Sequence, residues 1–396
     1  MQRRGRPRTM PEVSRSWDVV VVGVGPAGAA AAVTATRGGA RVLVLDRAEF
    51  PRPKTCGDAV SNRGAAIVDE LVGMPDALTS IAHAVVNGAA AIFPDGRRVA
   101  RDFGDAPGYI VPRLHLDDLL RRAVEDEGIE LRQRTVVRAL RVDGGRIVGV
   151  ELADDTTIDA GTVIAADGPG SLAWQALGIP YRRGRSLAVA ITGYYEDVSH
   201  GDAAAVTEHY FESDLACGYG WIFPSVDGES NVGVYQRADH YHAHGRPLRQ
   251  MLDTFVSRHA DRLGAAKRIG RTRTWALPLA VRPTPPSGAG VLACGDAGWF
   301  IDPLSGEGIW QALHTGRLAG KTAARSVARG GVDRTTARRY QLQCARDVGL
   351  GSIVRLGVQE AITKVVDWEL YRNRWVDTLL RRGYGSDRFE VSKRVG

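Results

Sequence analysis

Cysteine is scarce in this chain: Cys56, Cys217, Cys294 and Cys344 are the only four in 396 residues, far apart and with no C-x-x-C pair. That spacing argues against a zinc cluster and a secreted disulfide framework, and predicts a reducing, cytoplasmic setting. Long apolar runs are missing too. No stretch approaches the roughly 20 apolar residues that cross a bilayer, so membrane contact is expected to be peripheral at most. The opening MQRRGRPRTMPEVSRSW carries Arg3, Arg4, Arg6, Arg8 and Arg15 without an apolar centre, which argues against a signal peptide and predicts a disordered basic arm over 1–16. Carboxylates are outnumbered: 45 Asp and Glu face 52 Lys and Arg, a formal net charge of +7. The excess lies mostly at the two ends as a diffuse arginine surplus, so no nucleic-acid partner is expected.

A composition of 44% hydrophobic and 24% charged residues is that of a globular chain with two or three lobes. Its first folded stretch, WDVVVVGVGPAGAAAAVTATRGGARVLVLDRAEF, reads as apolar strand, glycine turn, Ala-rich helix and second apolar strand. Gly23, Gly25 and Gly28 form G-x-G-x-x-G directly after the first strand. Gly23 permits the tight turn, Gly25 lets backbone approach a pyrophosphate, and Gly28 lets helix pack on strand. Asp46 ends the second strand, where a carboxylate accepts hydrogen bonds from a ribose hydroxyl. The unit predicts an adenine dinucleotide on the helix N-terminus.

Three further segments say which dinucleotide. TVIAADGPGSLAWQALGI (162–179) is a strand ending in Asp167-Gly168. GVLACGDAGWFIDPLSGEGIWQALHTGRLAGKTAA (290–324) is a strand ending in Gly295-Asp296, a Pro/Gly loop and a helix. FPRPKTCGDAV (50–60) is a loop, because Pro51 and Pro53 remove backbone donors. This order of segments resembles the FAD-dependent oxidoreductases that include aromatic hydroxylases, flavin halogenases and geranylgeranyl reductases. PRPKTCGD and YGWIFPSVDGESNVGV (219–234) look like the P-R-x-K-x-C-G-[DE] and Y-x-W-x-F-P segments of the geranylgeranyl reductase-like group.

The resemblance implies an α/β fold: a Rossmann-like, GR2-type FAD-binding lobe, a second antiparallel β-sheet substrate lobe and a C-terminal helical segment. The expected division is 17–74, 105–185 and 276–335 for FAD, 75–104 and 186–275 for substrate, and 336–396 for the helical region. It implies non-covalent FAD held by Gly23, Gly25, Ala27, Gly28, Asp46, Arg47, Cys56, Gly57, Arg113, Val137, Asp167, Asp296, Gly306, Gly308 and Ile309. The helix opened at Gly306-Glu307-Gly308-Ile309 is expected to aim its positive end at the flavin, favouring the anionic reduced ring by up to about 2 kcal/mol.

Strand alternation places Tyr219, Trp221 and Phe223 on one face, either as the floor of an apolar pocket or as ordinary core. The catalytic set expected is Cys56, Tyr219 and Trp221, with hydride passing to a carbon–carbon double bond of an apolar small molecule or lipid, or the reverse. Cys56 is either a small buried filler or a participant, its pKa open to lowering by Arg52 and Lys54. A monooxygenase or halogenase using O2, and a non-catalytic FAD-binding protein, are the alternatives. Only one strand-linked G-x-G-x-x-G exists, so NAD(P)H, a reductase or a ferredoxin is expected to visit transiently. Trp174 stands where the D-G-x-x-S-x-x-R pattern of the resemblance has arginine, a residue tied to nicotinamide use, which leaves the donor open.

No metal is expected: His240, His242 and His244 share a face only if DHYHAH is a strand, and it is polar enough for a surface turn. Arg113 opens an amphipathic helix, holding FAD or forming a surface ion pair. Trp368, Tyr371 and Trp375 fall along one helical stripe, read as an interface with the main lobe or a membrane-surface helix. A monomer or dimer is expected.

Overall fold

The computed structural model describes residues 17–181, 183–281 and 285–384. The basic arm expected over 1–16 lies outside them.

The apolar run 17–22 cannot be satisfied by one neighbour, and it is buried between two parallel partners: Trp17–Val22 pairs with Val42–Leu45 on one side and Thr157–Ala165 on the other. Glu130–Arg132 extends this sheet beyond Val42–Leu45, and Val291–Ala293 beyond Thr157–Ala165, also in parallel. Helices Pro26–Arg37 and Ile309–Ala324 pack against each other on one face, their glycines and alanines allowing close approach. Thr157–Ala165 has two uses. Its second half joins the parallel sheet, while Thr157–Asp159 pairs antiparallel with Arg146–Leu152 and, through it, Val137–Asp143. A parallel sheet covered by helices puts the carboxyl ends of its strands at one edge, where ligands bind.

The second large sheet has seven strands, running from the edge strand Lys267–Pro278 through Leu187–Glu196, Glu229–Arg237, Gly218–Val226, Val206–Tyr210 and Gly88–Ile92 to Arg98–Asp102. It is antiparallel except where Val206–Tyr210 runs parallel to Gly88–Ile92. Alternation gives it two apolar faces. Ile222, Val232 and Val234 pack under the helix Leu248–Arg258. Tyr219, Trp221, Phe223 and Tyr235 face the other way, toward Leu279 and Ile301. A small sheet of Ala59–Val60, Gly108–Ile110 and Ala84–Val86 lies against that second face.

Candidate active site

The three fingerprint glycines have three distinct environments. Gly23 has φ 95°, and a Cβ there would stand 2.5 Å from the Ala166 carbonyl oxygen. A Cβ on Gly28 would stand 1.8 Å from the Gly23 oxygen, so only glycine lets the helix sit this close to the strand. Around Gly25 a Cβ would meet nothing within 4 Å: space is left open where the helix Pro26–Arg37 begins without a side-chain cap. Asp46 accepts hydrogen bonds from Val24 N and Ala48 N, both 2.8 Å, which locks the turn to the second strand. Ala27 packs against Gly295 and Gly316, while Arg47 is exposed. Val137 follows Thr135, whose N–H reaches the Asp46 carbonyl at 2.8 Å.

Asp167 lies beside Gly23. Its Oδ2 accepts from Leu172 N at 2.8 Å, while its buried Oδ1 finds no partner among the described residues. Burial pushes its carboxyl upward. The helix Ile309–Ala324 starts at Gly308, again with no side-chain cap, and a Cβ on Gly308 would lie 3.8 Å from Asp296 Oδ1. Two uncapped helix starts, open space at Gly25 and an orphaned carboxylate oxygen fit FAD. Anionic phosphates take free N–H groups, and hydroxyl-bearing groups take carboxylates.

The loop 50–58 crosses from this edge to the second sheet. Gly57 fits because a Cβ would come 3.0 Å from the Phe223 ring. Asn231 ties the loop down: its Nδ2 donates to Cys56 O at 2.8 Å and Asp58 Oδ2 at 2.7 Å, and its Oδ1 accepts from Trp221 Nε1 at 2.9 Å and Thr192 Oγ1 at 2.6 Å. Tyr194 Oη donates to Asp58 Oδ2 at 2.5 Å, and Arg113 N to Asp58 Oδ1 at 3.2 Å. Asp58 itself has φ 66°, the left-handed region that costs a non-glycine residue energy and collects at functional sites.

Between loop and sheet lies a cavity of about 330 Å³, its walls including Lys54, Cys56, Asp58, Tyr194 and Asn231, with Arg271 and Arg273 of the edge strand. Tyr219 and Trp221 are not among its walls. They stand one layer back from it: Tyr219 Oη donates to Ser305 O beside Gly306, and Trp221 supports Asn231. A second, open depression on the outer helix, lined by Gln250, Asp253, Thr254, Ser257 and Arg258, holds none of these residues.

The FAD dependent oxidoreductase family profile matches residues 18–262. The chain belongs to this family. It is 34% identical over 327 residues to a menaquinone reductase of Mycobacterium tuberculosis, covering 80% of this chain and 79% of that one. It is 30% identical over 368 residues to a digeranylgeranylglycerophospholipid reductase of Methanocella arvoryzae, covering 89% and 88%. Among solved structures, a geranylgeranyl bacteriochlorophyll reductase-like protein of Thermoplasma acidophilum matches with a TM-score of 0.78 at 21% identity, over 93% of this chain and 98% of that one. A flavin-dependent brominase matches at 0.74 and 19% identity, over 95% and 94%.

Within this FAD-dependent oxidoreductase, burial sets the charges. Asp58 rises to about 6, because its complete burial outweighs the hydrogen bonds from Tyr194 and Asn231. Lys54 falls to about 8 through burial and the nearby Arg113 guanidinium, its Nζ 3.9 Å from the Trp275 ring centre. The Cys56 thiol is pushed up, not down. Its burial outweighs Arg113 and Lys54, and Arg52 is turned away toward Asp117 at 3.2 Å. Arg113 does form an ion pair, but a buried one, gripping Asp117 through Nε at 2.6 Å and Nη2 at 2.9 Å.

Two other expectations change. His240, His242 and His244 lie on a helix, Ala238–His244, whose period keeps His240 and His244 on one face and turns His242 to the opposite one. His240 comes near Cys217 and Glu360 instead, where Arg237 already supplies a cation to Glu360 at 2.8 Å. The stripe of Trp368, Tyr371 and Trp375 is broken: one helix ends at Asp367 and the next starts at Arg374. Tyr371 is buried and stacks on Phe93 at 5.3 Å, whereas Trp368 and Trp375 are 66% and 77% exposed. Trp174, in the arginine's place, is an interior residue donating to Ala297 O at 2.8 Å and tilted on Trp299.

Sequence reasoning missed Asp58, Tyr194 and Asn231. Asp58 stood inside the quoted loop, and Asn231 is a polar residue on the inward face of a strand otherwise reading Gly233 and Tyr235, a signal for a buried hydrogen-bond hub.

Proposed function

We propose that this oxidoreductase reduces a carbon–carbon double bond in an apolar, prenylated substrate, with the reverse reaction open to the same geometry. The observation that carries the reading is the cavity between the Cys56 loop and the second sheet: a neutral thiol and a buried carboxyl from the loop meet a phenol from the sheet there, with an aromatic layer behind. Relatives named menaquinone reductase and digeranylgeranylglycerophospholipid reductase support the substrate class. FAD, when bound, supplies the hydride.

The chain's own residues do the rest. Gly23, Gly25, Gly28, Asp46, Asp167 and the starts of helices Pro26–Arg37 and Ile309–Ala324 hold the dinucleotide. Cys56 and Gly57 present the loop to the substrate. Tyr219 and Trp221 position it, through Ser305 and Asn231. Electrons come from NAD(P)H or a reductase or ferredoxin that docks transiently, and four free thiols favour a reducing cytoplasm.

Purified protein loaded with FAD and reduced without oxygen should be reoxidised by a prenylated quinone or lipid, the product gaining two hydrogen masses. Rapid oxygen consumption stimulated by an aromatic substrate, with no such mass gain, would favour a monooxygenase or halogenase instead.

A further inference from the structure

We propose that Asp58 and Tyr194 form a proton relay into the cavity, Asp58 holding the proton and Tyr194 delivering it to the substrate carbon that does not receive hydride. The relay rests on the double-bond reductase reading above. Tyr194 Oη is 2.5 Å from Asp58 Oδ2, and both residues line the cavity beside Cys56. Asn231 Nδ2 donates to the same Oδ2 at 2.7 Å, and Arg113 N holds Oδ1 at 3.2 Å. No cation is paired directly with Asp58 among the described ion pairs, since the Arg113 guanidinium is taken by Asp117.

Chemistry gives the direction. A phenol beside an ionised carboxylate is a poor acid, whereas beside a protonated carboxyl it releases one proton as it regains another. FAD, when bound and reduced, would supply the hydride pair for one new C–H bond and be left oxidised. The alkene's π pair forms the second, with the proton leaving Tyr194 Oη; the Asp58 O–H bond breaks as the phenol is restored. Asp58 ends ionised and recovers its proton from water entering the cavity. Groups facing it are Cys56 from its own loop, the Arg113 guanidinium from its helix, Tyr194 from Leu187–Glu196 and the neutral Asn231 from Glu229–Arg237; Lys54, His115, Asp227, Glu229, Arg271 and Arg273 line the same cavity.

The first test needs no substrate. Protein labelled with carboxyl-¹³C aspartate, with and without FAD, is titrated by NMR, and the Asp58 signal is the one missing from Asp58→Asn. It should titrate near pH 6. In Tyr194→Phe it should move higher, because a donor to the carboxylate is lost. A signal ionised throughout down to pH 4 overturns the relay.

The second test is single-turnover reoxidation by a prenylated quinone. Tyr194→Phe should slow it by about a hundredfold or more with FAD binding and photoreduction unchanged. The wild-type rate should fall as pH rises through about 6, and the profile should flatten in Asp58→Asn. An unchanged Tyr194→Phe rate overturns the relay alone. Wild-type enzyme that no prenylated alkene reoxidises overturns the reductase reading and the relay with it, whatever the carboxyl titration shows.

Discussion

Cys56 is held where a proline-rich loop meets a sheet face, and its surroundings make it a protonated thiol instead of a thiolate. Burial is the largest influence and raises its pKa, with Arg113 and Lys54 too weak to reverse it. Iodoacetamide should therefore label Cys56 more slowly at pH 7 than a free cysteine, with the rate still climbing at a pH where that of a free cysteine has levelled off; mass spectrometry of the labelled loop peptide reads this. Cys56→Ser should keep FAD and change single-turnover rate by less than about tenfold, because the loop is fixed by Asn231 and not by the thiol. His209 shows the opposite titration. Its ring lies 5.1 Å from that of Tyr219 and 5.3 Å from that of Phe223, and burial lowers its pKa to about 4. Between that value and the usual 6.5 the unfolded chain binds a proton that the native chain refuses, so this group's contribution falls as pH falls. Replacing it by phenylalanine should flatten the loss of stability from pH 6.5 to 4 by up to about 3 kcal/mol, measured by urea unfolding at several pH values.

At the scale of elements, the βα turn separates what folding needs from what the cofactor needs. A methyl on Gly28 would drive into the Gly23 backbone, so Gly28→Ala should destabilise the apo-protein by several kcal/mol. A methyl on Gly25 meets only empty space, and its φ of −67° suits alanine. Gly25→Ala should leave apo stability within about 0.5 kcal/mol while weakening FAD at least about tenfold, read by thermal unfolding and by flavin fluorescence titration. The strand Gly218–Val226 is equally two-sided: Tyr219, Trp221 and Phe223 serve the site face, and Gly220 on the other is pressed by the Phe255 ring, 2.2 Å from where a Cβ would stand. The alternation of this strand was legible because a period of two depends only on neighbours in sequence.

For the whole molecule, the groups proposed to hold FAD come from chain segments near residues 23–46, 167 and 296–309, and only the parallel order of strands brings their ends together. Binding to the folded chain alone must then stabilise it by mass action. At a hundredfold excess over its Kd, FAD should add about 2.7 kcal/mol, seen as a rise of several degrees in Tm of stripped protein. Among the described residues no helix is long and apolar enough to cross a membrane.

The glycine fingerprint, the terminal Asp46 and the Cys56 loop were readable because each encodes a local backbone demand: a positive φ, a close approach, a missing donor. The acid network was not readable. Tyr194 and Asn231 stand 136 and 173 positions from Asp58, and nothing in their own neighbourhoods announces a shared partner. The sequence alone settled the family and the dinucleotide, through residues a few positions apart. Tertiary structure alone decided that Cys56 stays protonated, that Arg113 is buried and that the C-terminal stripe is broken. Each of these depends on how much water is excluded when distant segments pack, and desolvation is a property of the assembled fold.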